Sequence, residues 1–415
     1  MAAKAITSSP SQNIGVGSIV KWLLGLFCFG VLASLLLQLI IQFMTPPPGQ
    51  RLQLLQDMPL PSIAISHRGQ AQQSIHFDRF DFQALDTRTG LLFIAHDGPS
   101  ANKLPQVKAE LFGASIKPSI VVFDVARNKY VASISDLIVH GITVASDIHE
   151  VYAADVNHNV ITVIDEQACQ AAISAGQNVC AVAKTIKATQ TPDSLEYDGD
   201  DHEVFVSEAD KNTPSKSVVD VVDTQTDSIV KTIPVPSIVG HVRYDPALHL
   251  IFIVVTTGTN AGNELDAIDP ITNAITARIA LPSVCNNAHG LAVDTAQQVA
   301  FVACVDSHNL AVVSLRTMKV IGDPNNFPLA TKPDVVVVDH ILHILFVGCA
   351  TGVSVFDESK ASSGSLTKFK DYPVSTNSSH SIAVDDSSHN LYIPLVDVGN
   401  RPVMRIEHYN SRGTV

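Results

Sequence analysis

The chain has no nucleophile elbow, no phosphate-binding glycine loop, no dinucleotide-binding glycine fingerprint and no kinase signature. The reaction classes those motifs mark are therefore not written into it. It also lacks any cluster of lysine and arginine: 27 basic residues stand against 40 acidic ones, for a net charge of −13. A phosphate-binding surface works by releasing counterions through clustered cations, so nucleic acid is a disfavoured partner. The six cysteines contain no CxxC pair, which argues against a metal held by cysteine. Charged residues make up only 16% of the chain and hydrophobic ones 46%, which excludes a disordered chain and fits a buried, β-rich core.

One stretch lacks charge altogether. Residues 22–44, WLLGLFCFGVLASLLLQLIIQFM, run 23 positions without a charged side chain, long enough for a helix to cross a bilayer. The run exceeds the roughly 7–15-residue apolar core of a secretory signal. Thr45 and three prolines come directly after it, where a cleaved signal would carry an A-x-A-like site. The expectation is an uncleaved, single-pass transmembrane anchor that ties the protein to the membrane. Lys4 and Lys21 precede it and only Arg51 lies close behind. The positive-inside rule then places residues 1–21 in the cytoplasm and the bulk of the chain on the extracytoplasmic side. Residues 45–58 are expected to be a proline-containing linker.

Beyond residue 58 the chain repeats. A short strand ending in an apolar pair and Asp recurs as QALD, LEYD, VRYD, LAVD, VVVD and IAVD, with ITVA as a degenerate copy. The copies end at Asp86, Ala145, Asp198, Asp245, Asp294, Asp339 and Asp385, spaced 45 to 59 residues apart. Each is followed by a second strand such as EVFVSE and a third such as SVVDVVD. Val and Ile suit a packed, pleated surface, and Asp opens the turns. Four strands cannot bury their own faces, so copies must stack. A period near 45 residues with four strands per copy is the propeller signature. The expected fold is all-β: a seven-bladed β-propeller of four-stranded antiparallel blades over residues 59–410, with a tail at 411–415. The last copy stops near Tyr409 without a fourth strand, so SIAIS (62–66) is expected to supply it and close the ring.

The units VVDVVDTQTDSIVKTI and FVACVDSHNLAVVSL resemble YVTN/YncE-type β-propeller repeats. The resemblance spans about residues 60–410, with VYAAD and VFVSE standing where the letters Y-V-T-N would be. It implies a seven-bladed propeller and, as for most members, a binding role. Related propellers include lactonases, lyases and quinoprotein subunits, so it does not choose between binding and catalysis.

Cys169 and Cys180 bracket a ten-residue insertion in the second copy, and Cys285 and Cys304 flank neighbouring strands in the fifth. An extracytoplasmic chain permits both disulfides. Cys349 is left over, and Cys28 lies in the apolar run.

Five residues before each strand-one terminus stand Asp81, His140, Asp193, Gly240, His289, Asp334 and His380, with His241 one place on from Gly240. Strand one lines the central channel of a propeller, so these side chains should converge on one mouth. Three readings stay open. The residues bond local backbone; they bind a polar ligand; or they hold a divalent metal such as zinc or copper or perform acid–base work, the last two readings placing His140, His289 and His380 foremost with Asp193 and Asp334 in support. His96 is expected to be a partly buried histidine. DGDDHE (198–203) is expected to be a solvated hairpin turn and DHILH (339–343) to split its histidines across a strand. Asn377 begins a glycosylation sequon. The expected function is a non-catalytic scaffold for a protein or small-molecule ligand. The alternative is a hydrolase, lyase or oxidoreductase with its site at the channel mouth.

Overall fold

The computed structural model describes residues 52–61, 63–65, 73–75, 79–97, 118–210, 212–257, 262–374, 380–399 and 401–410. The apolar run 22–44 and the sequon at Asn377 lie outside them. Among the described residues no helix is long and apolar enough to cross a membrane.

Seven four-stranded antiparallel sheets form the seven blades. Their innermost strands are Phe80–Asp86, Val139–Ala145, Thr191–Asp198, Ile238–Asp245, Ala288–Asp294, Pro333–Asp339 and Ala383–Asp385. Each packs against the innermost strand of the next blade, and the seventh meets the first, so the ring is closed. In blade three the order is Thr191–Asp198, Glu203–Ala209, Val218–Asp223 and Ser228–Pro234. Its DGDD turn forms as expected, with the backbone amides of Asp200 and Asp201 donating to Asp198 Oδ1. Asp198 itself is buried, and the turn's solvated members are Asp200 and Asp201.

The core lies between blades. Every second strand carries one aromatic at the same register: Phe93, Tyr152, Phe205, Phe252, Phe301, Phe346 and Tyr392, all fully buried. Each packs into a cluster that also contains residues of a neighbouring blade. Burying one such ring contributes roughly 2–3 kcal/mol. The aromatic therefore joins blade to blade, and no blade is stable by itself.

The closing strand differs from expectation. Leu52–Pro59, and not 62–66, pairs antiparallel with Val403–Tyr409, from Leu52 opposite Tyr409 to Pro59 opposite Val403, with one slip between Leu54 and Gln56. Ile63–Ile65 pairs instead with Gln73–Ile75 in a separate two-stranded hairpin. Arg405 donates from Nε and Nη2 to the two carboxylate oxygens of Asp57, both at 2.8 Å, and from Nη1 to the Val374 carbonyl of blade six. The segment LQLLQDMP escapes a pattern search for a physical reason. It is an outer strand with only Leu52 buried, so no apolar alternation marks it. The propeller thus begins at Leu52, inside the stretch expected to be linker.

Both expected disulfides are present, Cys169–Cys180 and Cys285–Cys304, with Cα atoms 4.9 and 5.0 Å apart. The first staples the insertion helix Glu166–Ser174, which Asp165 caps through the Ala168 amide. Cys349 is a buried thiol outside both disulfides.

Candidate binding site at the channel mouth

In blades one to six the ladder between the first and second strands slips at the same place. The shifts fall between Phe80 and Gln83, Val139 and Ile142, Pro192 and Leu195, Val239 and Val242, Ala288 and Gly290, and Pro333 and Val336. These are β-bulges, and a bulged residue leaves the ladder and re-aims its side chain. Asp81, His140, Asp193, Gly240, His241, His289 and Asp334 all lie in them. The repeat therefore copies a local backbone device that turns polar side chains out of the sheet at one end of the channel.

Glycines let neighbouring bulges touch. A Cβ on Gly290 would stand 1.8 Å from the Asp334 carbonyl oxygen, and one on Gly240 would stand 2.8 Å from that of His289. Gly240 occupies a place that holds His or Asp in the other blades, because His289 fills the space a side chain would need. His241 takes over the polar role one residue later.

The side chains meet across blades. His140 Nδ1 lies 2.8 Å from Asp193 Oδ1. Asp334 is the hub: His241 Nε2 and His289 Nε2 lie 3.5 and 3.6 Å from its Oδ1, and His380 Nε2 lies 3.5 Å from its Oδ2. His380 Nε2 also faces Asp81 Oδ1 at 3.9 Å, and Asp81 is paired with Arg79. The expected His and Asp side chains thus fall into two ion-pair groups. One joins blades two and three, and the other joins blade one to blades four to seven, with Asp81 belonging through His380. Sequence reasoning missed Arg79 and Asp97, which flank blade one's bulged strand and interact electrostatically with this set. Neither sits at the repeated register that marked the others.

Charge follows from these contacts. Burial opposes ionisation of Asp334, but the imidazoles of His289, His241 and His380 outweigh it and hold its carboxyl well below the usual range. Burial also opposes protonation of His140 and His380. Asp193 and Asp81 outweigh it for the first, Asp81 and Asp334 for the second, and both pKa values rise. His241 goes the other way, because burial brings it down to about 4.

The donor atoms of His241, His289 and Asp334 lie within 4.8 Å of one another, close enough to suggest a metal site. The proton on His241 opposes that use. Its Nδ1 accepts the Leu291 backbone N–H at 3.3 Å, so the neutral ring carries its proton on Nε2, facing Asp334. A ligating histidine presents a lone pair to the metal and donates from its other nitrogen. His241 has the reverse arrangement, with its protonated Nε2 facing Asp334 Oδ1 at 3.5 Å, beyond ordinary hydrogen-bond length. Phe82 packs edge-on against its ring, with centroids 4.6 Å apart, and fixes it in place.

Among the described residues of the mouth, Asp334 Oδ1, His380 Nε2 and, at its flank, Asp97 Oδ1 are buried without a hydrogen-bond partner. Leaving such groups unmade costs about 1–3 kcal/mol each. An acceptor and a donor on neighbouring side chains, as Asp334 and His380 offer, can bind a group that supplies one of each.

The other end of the channel carries a second histidine series. The turn after each innermost strand ends in a left-handed residue, namely Gly90, His149, His202, His249, Gln298, His343 or His389. His249 reaches Asp201 of the preceding blade at 3.0 Å and His389 reaches Asp339 at 2.8 Å. These are clasps between blades. DHILH is not the expected strand but the turn after Pro333–Asp339, and in it His340 pairs with Asp386 and His343 with Glu358. His96 is fully rather than partly buried, against Ser119 Oγ, and burial brings its pKa down to about 3.

No family model and no curated protein matches the sequence. Solved structures do match in fold. A chain of hydrazine synthase from Kuenenia stuttgartiensis aligns with a TM-score of 0.60 at 13% identity, covering 84% of this chain and all of that one. A functionally unknown protein from Desulfotomaculum acetoxidans aligns with a TM-score of 0.54 at 13% identity, covering 71% of this chain and 93% of that one. At that identity the likeness is one of fold alone.

Proposed function

We propose that this chain is a membrane-anchored, extracytoplasmic binding propeller of the YVTN/YncE type, whose channel mouth takes a small polar ligand. The observation that carries the reading is that Asp334 Oδ1 and His380 Nε2 are both buried without a hydrogen-bond partner, on two side chains that approach to 3.5 Å (His380 Nε2 to Asp334 Oδ2) where seven innermost strands converge. A ligand hydroxyl or amide can satisfy both, and an isolated structural role would leave neither unmade. The charge-free run 22–44 supports the anchor, and two disulfides suit an oxidising compartment.

The test is a ligand-observed NMR screen of neutral polyols and amides against the full-length protein in detergent. Hits should weaken at least tenfold in an Asp334→Asn/His380→Gln variant that still unfolds cooperatively. A hit set unchanged by that variant would refute the site. A second reading, general acid–base catalysis, is favoured by one feature: a carboxylate and an imidazole of raised pKa lie 3.5 Å apart. Turnover of an ester or lactone panel that vanishes in the same variant would select it.

A further inference from the structure

A cavity of about 750 Å³ is lined by the innermost strands and by turn residues such as Thr87, Thr295 and Ser387 at the end away from the mouth. Asp385 and Asp386 line it at the turn of blade seven, and two further charged residues line it from strands, Glu196 of blade three and Arg243 of blade four. Both stand two residues before the turn Asp of their strands. At that register the other blades carry Ala84, Thr143, Ala292, Val337 and Ala383. The propeller therefore builds this level of the channel without charge wherever it only needs packing. A half-buried ion pair gives little stability over such residues, so the pair at 196 and 243 calls for another use.

The geometry of Arg243 supplies one. Its Nη1 donates to its neighbour's carbonyl, Val242 O, at 2.6 Å, and stands 3.5 Å from Glu196 Oε2. That second distance is well beyond the roughly 2.7–2.9 Å of a charge-assisted hydrogen bond, so Glu196 does not hold the guanidinium. The Phe82 ring lies against it, 5.3 Å from Cζ to the centroid, and restrains its orientation. Among the described residues Nε and Nη2 make no hydrogen bond. That edge is the fork that recognises a carboxylate in bidentate fashion. Across the cavity the wall is apolar, with Val337, Ala292 and Ile382 among its residues.

We infer that the channel interior is a carboxylate subsite, in which the free edge of Arg243 grips a monocarboxylate whose apolar body rests on the Val337 wall. It stands whether or not the mouth takes a ligand of its own. Glu196 tunes it. Burial pushes the Glu196 carboxyl up to about 7. Below that pH the group is neutral and Arg243 is available; above it, Glu196 competes for the same cation. Arg243 is the charge beside Glu196. The other titratable groups of the channel are the mouth set (Asp81, His140, Asp193, His241, His289, Asp334, His380) and, at the far end, His340, Asp385 and Asp386.

The experiment is calorimetric titration of full-length protein in detergent with benzoate, and with benzamide as the uncharged isostere, at pH 6 and pH 8. Benzoate should bind at pH 6, and about tenfold more weakly at pH 8, the effect of one competing group that titrates near 7. Benzamide should bind far more weakly at both. Glu196→Gln should abolish the pH difference, which separates this group from the titrating mouth. Arg243→Gln should remove benzoate binding, and Arg243→Lys, which keeps the charge and loses the fork, should weaken it about tenfold. Each variant's thermal transition establishes that it folds. Equal binding of benzoate and benzamide, no benzoate binding at pH 6, or full affinity in a folded Arg243→Gln protein would each overturn the inference.

Discussion

Asp57→Ala should open the ring. Asp57 holds the N-terminal strand to Arg405 through two charge-assisted hydrogen bonds of 2.8 Å, and the two side chains are 21% and 14% exposed. Bonds to charged groups contribute about 1.5–3 kcal/mol each, and partial exposure reduces that. Arg405 keeps its Nη1 bond to Val374, so the substitution does not leave it wholly unpaired. The expected loss is about 2–3 kcal/mol. At about 2.1 cal/mol/K of unfolding entropy per residue, a chain of this size would shift its melting point by only about 3–4 °C. Denaturant titration is the better assay. A double-mutant cycle of Asp57→Ala and Arg405→Ala should give a coupling of at least about 1.5 kcal/mol. A coupling under about 0.5 kcal/mol, the value of an exposed pair, would refute Leu52–Pro59 as the strand that closes the propeller.

Gly290→Ala places a Cβ 1.8 Å from the Asp334 carbonyl. It should cost roughly 2–4 kcal/mol in denaturant titration, while Gly199→Ala, whose nearest neighbour is the Tyr197 ring at 3.5 Å, should stay within about 0.5 kcal/mol. His241 gives a pH dependence. Its folded pKa of about 4 lies below the ordinary value near 6.5, so the unfolded chain takes up the proton first. The stabilisation is whole above pH 6.5 and is lost as pH falls toward 4, by about 3 kcal/mol. The wild-type minus His241→Gln stability, measured at pH 7 and pH 4.5, should shrink by most of that amount. His140 and His380 have raised pKa values and contribute with the opposite sign, which the subtraction removes.

The blades, their number and their strand order were legible in the sequence because they rest on a period-two apolar pattern and a turn Asp repeated along the chain. The disulfides were legible because each pair flanks structure already placed by the repeat. The polar ring was visible as a register, but not its chemistry. Nothing local says that Asp334 would serve three histidines, or that a backbone amide would fix the His241 proton on the wrong nitrogen for a metal. Glu196 and Arg243 drew no notice because each stands alone at a register whose equivalents in the other blades are uncharged.

By itself the sequence determined the repeat and hence the interblade core: one buried aromatic per second strand suffices to make stacking the only way to bury each blade. Tertiary structure decided everything that depends on closure. Leu52–Pro59 becomes a strand only because Val403–Tyr409 offers it an edge some 350 residues away. The mouth becomes a site only because bulges on separate blades turn their side chains toward one axis, and a local pattern carries no record of which distant residues will share that axis.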